Sequence, residues 1–173
     1  MTDELPERAV RAFEGHEAFE RDGEWFDVTT TRFDGRATAA ETDDWDLRYT
    51  IEVRAPMLSA ATEGPVGSAV EDGWFETYEL RLEDADMAVR QDVAFDDQRV
   101  IEESGDAVAI FEFEWGNADH APAMVKAMVE YVEGTYMEGI VPGYDYVQPV
   151  SEMLSQARQA DGDGGQGSGP MPL

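Results

Sequence analysis

WDLRYTIEVR, Trp45 to Arg54, is the stretch that decides the fold class. Trp45, Leu47, Tyr49, Ile51 and Val53 alternate with Asp46, Arg48, Thr50, Glu52 and Arg54. A period of two belongs to a strand with one apolar and one wet side. Opposite charges recur along the wet side, as in antiparallel sheets with one solvated face. Pro56 ends the run, because proline has no N–H for a ladder.

Upstream, EWFDVTTTRF (24–33) is rich in aromatic and β-branched residues and predicts a strand. Asp34-Gly35 sits where a tight hairpin turn belongs, and a second strand follows from Arg36 to about Glu41. The opening LPERAVRAFEGHEAFE places Leu5, Val10, Phe13 and Phe19 at helical spacing, with Pro6 suited to a first turn and Gly15 weakening the centre.

Downstream, MLSAATEGPVG is expected to be loop. Ser68 and Glu71 then fit a capping box that opens a helix over about 69–85, with Val70, Trp74, Tyr78 and Leu82 on one stripe. Residues 86–97 fit no single pattern. Strands over 98–103 and 107–115 flank Ser104-Gly105-Asp106, a hairpin signature. In the second strand Ala107, Ala109, Phe111, Phe113 and Trp115 share a face. A long helix opens near Pro122, with Met124, Val125, Met128, Val129, Val132 and Tyr136 as its stripe, and stops at Gly139 and Pro142-Gly143. A shorter helix is expected over 149–160.

The order is therefore α-β-β-β-α-β-β-α. It predicts one α+β domain over 1–160, with an antiparallel sheet of about five strands and flanking helices. The Gly-rich tail 161–173 is expected to be disordered.

Charge bounds the function. Against 12 Lys and Arg stand 39 Asp and Glu, a net charge of -27 over 173 residues, with Lys126 the only lysine. Such a chain repels itself in dilute buffer. At about 1 M salt the Debye length falls to roughly 3 Å and the repulsion is screened. The composition resembles that of cytosolic proteins of halophilic archaea, and a cytoplasmic location is expected. No basic cluster exists to neutralise phosphates, which argues against nucleic-acid binding. No stretch is long and apolar enough for a membrane span, and without cysteine there is no thiolate metal site.

Each chemical motif has a plainer reading. Gly162, Gly164 and Gly167 spell GxGxxG, but no strand precedes them. His16 to Glu20 reads HEAFE, one histidine short of a zinc-binding HExxH. No serine stands in a GxSxG setting. FEFEWGNADH, Phe111 to His120, packs Glu112, Glu114, Asp119 and His120 into ten residues. Its glutamates share a strand face, and Asn117 or Asp119 is placed to cap the next helix. No catalytic residue, cofactor or metal is assigned. Glu112, Asp119 and His120 are the candidates for a carboxylate-based enzyme, or for small-molecule or cation binding.

TDELPERAVRAFEGHEAFE, GWFETYELRLEDA and the EFEW-to-helix junction resemble a family of short haloarchaeal proteins known as a domain of unknown function. The resemblance implies no activity and no functional residues. By element order the chain is also similar to type III secretion chaperones, which implies a protein-binding module. The expectation is a non-catalytic adaptor or chaperone-like domain, binding a protein partner or forming a homodimer. Its expected surface is apolar: Met124, Met128, Tyr131, Tyr136 and Met137 on the long helix.

Overall fold

The computed structural model describes residues 4–167, with side chains as far as residue 159. At its centre β4 (Leu47–Pro56) pairs antiparallel with β6 (Asp106–Trp115), from Leu47 opposite Trp115 to Pro56 opposite Asp106. Beyond β4 lie β3 (Asp34–Glu41), β2 (Trp25–Val28) and β1 (Phe19–Asp22). β5 (Asp97–Glu103) flanks β6, so the antiparallel order is β1-β2-β3-β4-β6-β5. The fold is α+β as expected, with six strands rather than about five.

The additional strand comes from the N-terminal segment. Helix α1 (Glu7–Glu14) stops at Gly15, and Phe19 begins β1 instead of extending the helix. Phe19 still reaches the apolar stripe, because its ring meets Phe13 edge-on at 4.8 Å while Phe13 stacks on Phe26 at 4.6 Å.

Asp34-Gly35 is not a turn. Both residues lie in β3, with Gly35 opposite Val53. The chain reverses within 29–33, where Glu133 accepts the Arg32 and Phe33 N–H groups at 2.7 and 3.0 Å. The glycine has a packing reason instead: a Cβ there would stand 2.4 Å from Val129 Cγ1 on α4 (Ala121–Glu138). By contrast, Ser104 and Gly105 both adopt positive φ (54° and 86°) and form the expected β5–β6 hairpin turn.

The segment expected to be loop after Pro56 contains α2 (Leu58–Ala61). The expected capping box is also redirected. Ser68 is the first residue of α3 (Ser68–Leu82), whose N-cap is Gly67, and the Glu71 carboxylate accepts the Ser59 N–H at 2.7 Å. Glu71 therefore caps the neighbouring α2. A 3₁₀ turn, Ala85–Ala88, follows α3. The last helix, α5, runs Val150–Gly167, past the expected end near 160, and residues 168–173 of the expected tail lie outside the described residues. No described helix is long and apolar enough to cross a membrane.

The helices line one face of the sheet. Tyr49, Ile51, Val53, Phe111 and Phe113 share one buried cluster with Phe13 of α1 and with Val125, Met128 and Val129 of α4. α3 packs over α4, where Trp74 and Tyr78 meet the Tyr136 ring at 5.5 and 5.8 Å. On the opposite face cross-strand ion pairs face water: Arg36–Glu52 at 2.9 Å, Arg48–Glu114 at 2.6 Å, and Arg54 with Glu103 and Asp106. Val108 and Ile110 lie on this face, yet are only 2% and 6% exposed. Their cross-strand neighbours Arg54, Ile101, Glu52 and Arg99 shelter them.

Two predictions follow from this packing. Gly35→Ala should cost about 1–3 kcal/mol in chemical denaturation by overpacking. The penalty should shrink in a Val129→Ala background, where the clashing methyl groups are gone. Asp27, on β2 opposite Arg36, has its pKa raised, first by burial and then by the Asp22 charge, against the pull of Arg36. A raised carboxyl favours folding below the unfolded value and loses that contribution as pH rises through the folded one. Asp27→Asn should therefore stabilise the fold at neutral pH by at most about 0.5 kcal/mol in chemical denaturation, after solvent screening. The gain should vanish below about pH 4 and shrink in about 2 M KCl.

Candidate functional site

The strand register builds a groove at one end of the sheet. Because Leu47 pairs with Trp115, the residues just outside the ladder, Asp46 and Gly116, come side by side, and the Trp45 ring edge lies against Gly116. The Thr42 hydroxyl stitches the turn before β4, donating to the Asp46 carbonyl at 2.6 Å and accepting the Asp44 N–H at 3.1 Å. Gly116 is tight against this turn, since a Cβ there would lie 2.9 Å from Asp46 Oδ1.

Arg8, from the first turn of α1, clamps the two loops together. Its guanidinium donates to the Gly116 carbonyl at 2.9 Å and to the Trp45 carbonyl, and lies 4.0 Å from the centre of the Trp45 ring. The Trp45 side chain is 73% exposed, so the ring face away from Arg8 is open to water. This corrects the placement of Trp45 on the apolar side of the strand: β4 begins at Leu47, and the tryptophan precedes it.

The groove, of about 520 Å³, is lined by Arg8, Arg11, Trp45, Asn117, Asp119 and the backbone of 116–118. The Asn117 side chain accepts the Asp119 N–H at 3.0 Å and caps the 3₁₀ turn Ala118–His120 that leads into α4. Arg11 pairs with Glu7 at 3.5 Å, but the two side chains are 75% and 90% exposed, so the pair holds little energy. Tyr49, buried at this end of the sheet, has its pKa pushed up to about 12 by burial, with the Arg8 charge pulling the other way.

Of the three residues singled out in the sequence, only Asp119 lines the groove. His120 is exposed beside it, its Nε2 3.4 Å from Asn117 Nδ2. Glu112 stands on the uncovered sheet face, opposite Thr50 and Asp97. Among the described residues no group of three or more His, Asp or Glu side chains is arranged to hold a metal ion. His16 does not face a second ligand along a helix; its Nδ1 accepts the Ala18 N–H at 3.2 Å in the α1–β1 connection.

The apolar surface expected on the long helix is core. Met124, Met128 and Tyr136 are at most 1% exposed, while Tyr131 and Met137 are partly buried against the same cluster. Periodicity identified the stripe but carried no information on what covers it. Conversely, nothing local in the sequence marks Arg8 or Arg11, although the Asp43-Asp44 pair ahead of Trp45 is a turn signal that places the tryptophan outside the strand.

A model of a family of unknown function (DUF5813) matches residues 14–156. No curated protein and no solved structure matches the chain.

The clamp has a measurable worth. Arg8→Ala leaves two carbonyls without their charged donor and should destabilise the fold by about 1–3 kcal/mol in thermal or chemical denaturation. Arg8→Lys should recover less than half of that, because an ammonium cannot reproduce the planar fork over the indole.

Proposed function

The chain belongs to this family of unknown function, and on that premise we propose that it is a non-catalytic protein-binding adaptor or chaperone-like module that docks its partner at the Trp45 groove. The observation that carries the reading is a tryptophan 73% exposed with an arginine stacked on one face. Large aromatic and arginine side chains supply most of the energy at protein interfaces. An anchor already stacked on its own chain loses less conformational entropy when a partner covers it.

The net charge of -27 supports a salt-filled setting, the cytoplasm of a halophilic archaeon. At molar salt, long-range attraction is screened and recognition depends on contact. A groove offering an apolar ring, a guanidinium and capped backbone suits those conditions better than a diffuse charged surface.

The test is affinity co-purification from the native host in about 2 M KCl, with mass spectrometry and light scattering on the eluate. Wild-type protein should retain a stoichiometric protein partner, or a second copy of itself. Trp45→Ala should lose it by about tenfold or more. Equal recovery on both proteins, or none on either, would rule out the groove as the docking surface.

A further inference from the structure

We propose that β1 is a salt-dependent cover on the sheet: at molar salt it stays paired to β2, and in dilute solution it comes away before the rest of the fold, leaving β2 as the margin. The open face shows why. Side chains alternate along a strand, so Glu20 and Asp22 of β1, Asp27 of β2, and Asp34 and Arg36 of β3 share that face. Glu20 stands directly opposite Asp27, and Asp22 follows two residues along the same margin. Like charges opposed across a ladder destabilise it.

The nearby cations are engaged elsewhere. Arg36, opposite Asp27, donates from two guanidinium nitrogens to Glu52 at 3.2 and 2.9 Å and lies 3.8 Å from the centre of the Trp25 ring. Arg54, opposite Asp34, pairs with Glu103 and Asp106. Arg21 of β1 belongs to the other face, where it donates to Glu14 at 3.2 Å and to the Gly23 carbonyl at 3.0 Å. Among the described residues no ion pair includes Glu20, Asp22, Asp27 or Asp34. Glu24, in the β1–β2 turn, adds a further negative charge. Burial first, and then the charges of Asp22, Asp34 and Glu20, push the Asp27 carboxyl up against the pull of Arg36. The ladder of opposite charges across the open face thus stops at β3.

What holds β1 is concentrated at its start. Of its four residues only Phe19 is buried, edge-on to Phe13 at 4.8 Å. Just before it, the Ala18 carbonyl accepts the Thr29 N–H and hydroxyl at 2.8 and 3.0 Å. Glu20, Arg21 and Asp22 are exposed, in a strand of four residues against eight in β3 and ten in β4. Screening decides the balance. The Debye length is about 10 Å at 0.1 M salt and about 3 Å at 1 M, on either side of the roughly 5 Å between opposed side chains.

The test is amide hydrogen exchange read residue by residue by NMR on the full-length protein, from about 2 M KCl down to the lowest concentration at which the β4 and β6 amides stay protected. Over that range the protection of the β1 amides should fall by about fivefold or more. Glu20→Gln with Asp22→Asn, both at exposed positions, should hold the fall below about twofold. Asp27→Asn, on the strand that β1 covers, should blunt it as well. β5, the opposite margin, should respond alike in wild type and variants. Loss of β1 protection only together with that of β4 and β6 would reveal one cooperative unit and overturn the proposal. So would an equal fall in the double variant, or a variant that alters β1 and β5 together.

Discussion

The pairing of β4 with β6 is the constraint on which the rest of the molecule depends. Ten residues of each strand are in register, although about fifty residues of chain separate them. Side chains alternate faces along a strand, so a slip of one position would exchange the buried and wet faces. The observed register puts Tyr49, Ile51 and Val53 beside Phe113, Phe111 and Ala109 on one floor, to which α1 and α4 are fitted. It also decides where the ladder ends. With Leu47 opposite Trp115, two loops emerge together, and a single arginine from α1 can reach a carbonyl on each. The groove is thus a by-product of the register, finished by one side chain.

The two faces of the sheet solve different problems. The covered face gains its energy from apolar burial, and its tolerances are tight: β3 has to present Gly35 where Val129 of α4 comes close. On the open face, arginines link β3 to β4, β4 to β6 and β4 to β5 through carboxylates. Pairs this exposed contribute little individually. Arg54 and Arg99 stand in register beside Val108 and Ile110, which are buried, and arginine stems can cover apolar surface while the charged heads stay in water.

How far the fold could be read from the chain follows from the range of the signals. Alternation from Leu47 to Val53 and from Ala107 to Trp115 reports on neighbours within a few residues, and both strands are where that pattern put them. Gly35 misled because glycine serves turns and close approaches equally, and the approaching residue, Val129, lies far along the chain. Glu71 misled similarly: its carboxylate does cap a helix, but one brought beside it by tertiary folding. The candidate site was least legible. Trp45 falls in an alternating series that places it on the apolar side, while Arg8 reads as any outward residue of an amphipathic helix. Only the register brings them together. Glu112, close in sequence to Asp119 and His120, is parted from them because the strand end and a capped turn intervene.

Among the described residues the strand order leaves the sheet with two unpaired margins. One is β1, four residues long and reading Phe-Glu-Arg-Asp; the other is β5, reading Asp-Gln-Arg-Val-Ile-Glu-Glu. A bare strand margin can recruit any extended chain by backbone hydrogen bonding, without regard to sequence, and shortness and charge are what discourage it. Both margins have the charge, and β1 has the shortness as well. An open sheet is thereby kept from growing by one strand at a time at either margin.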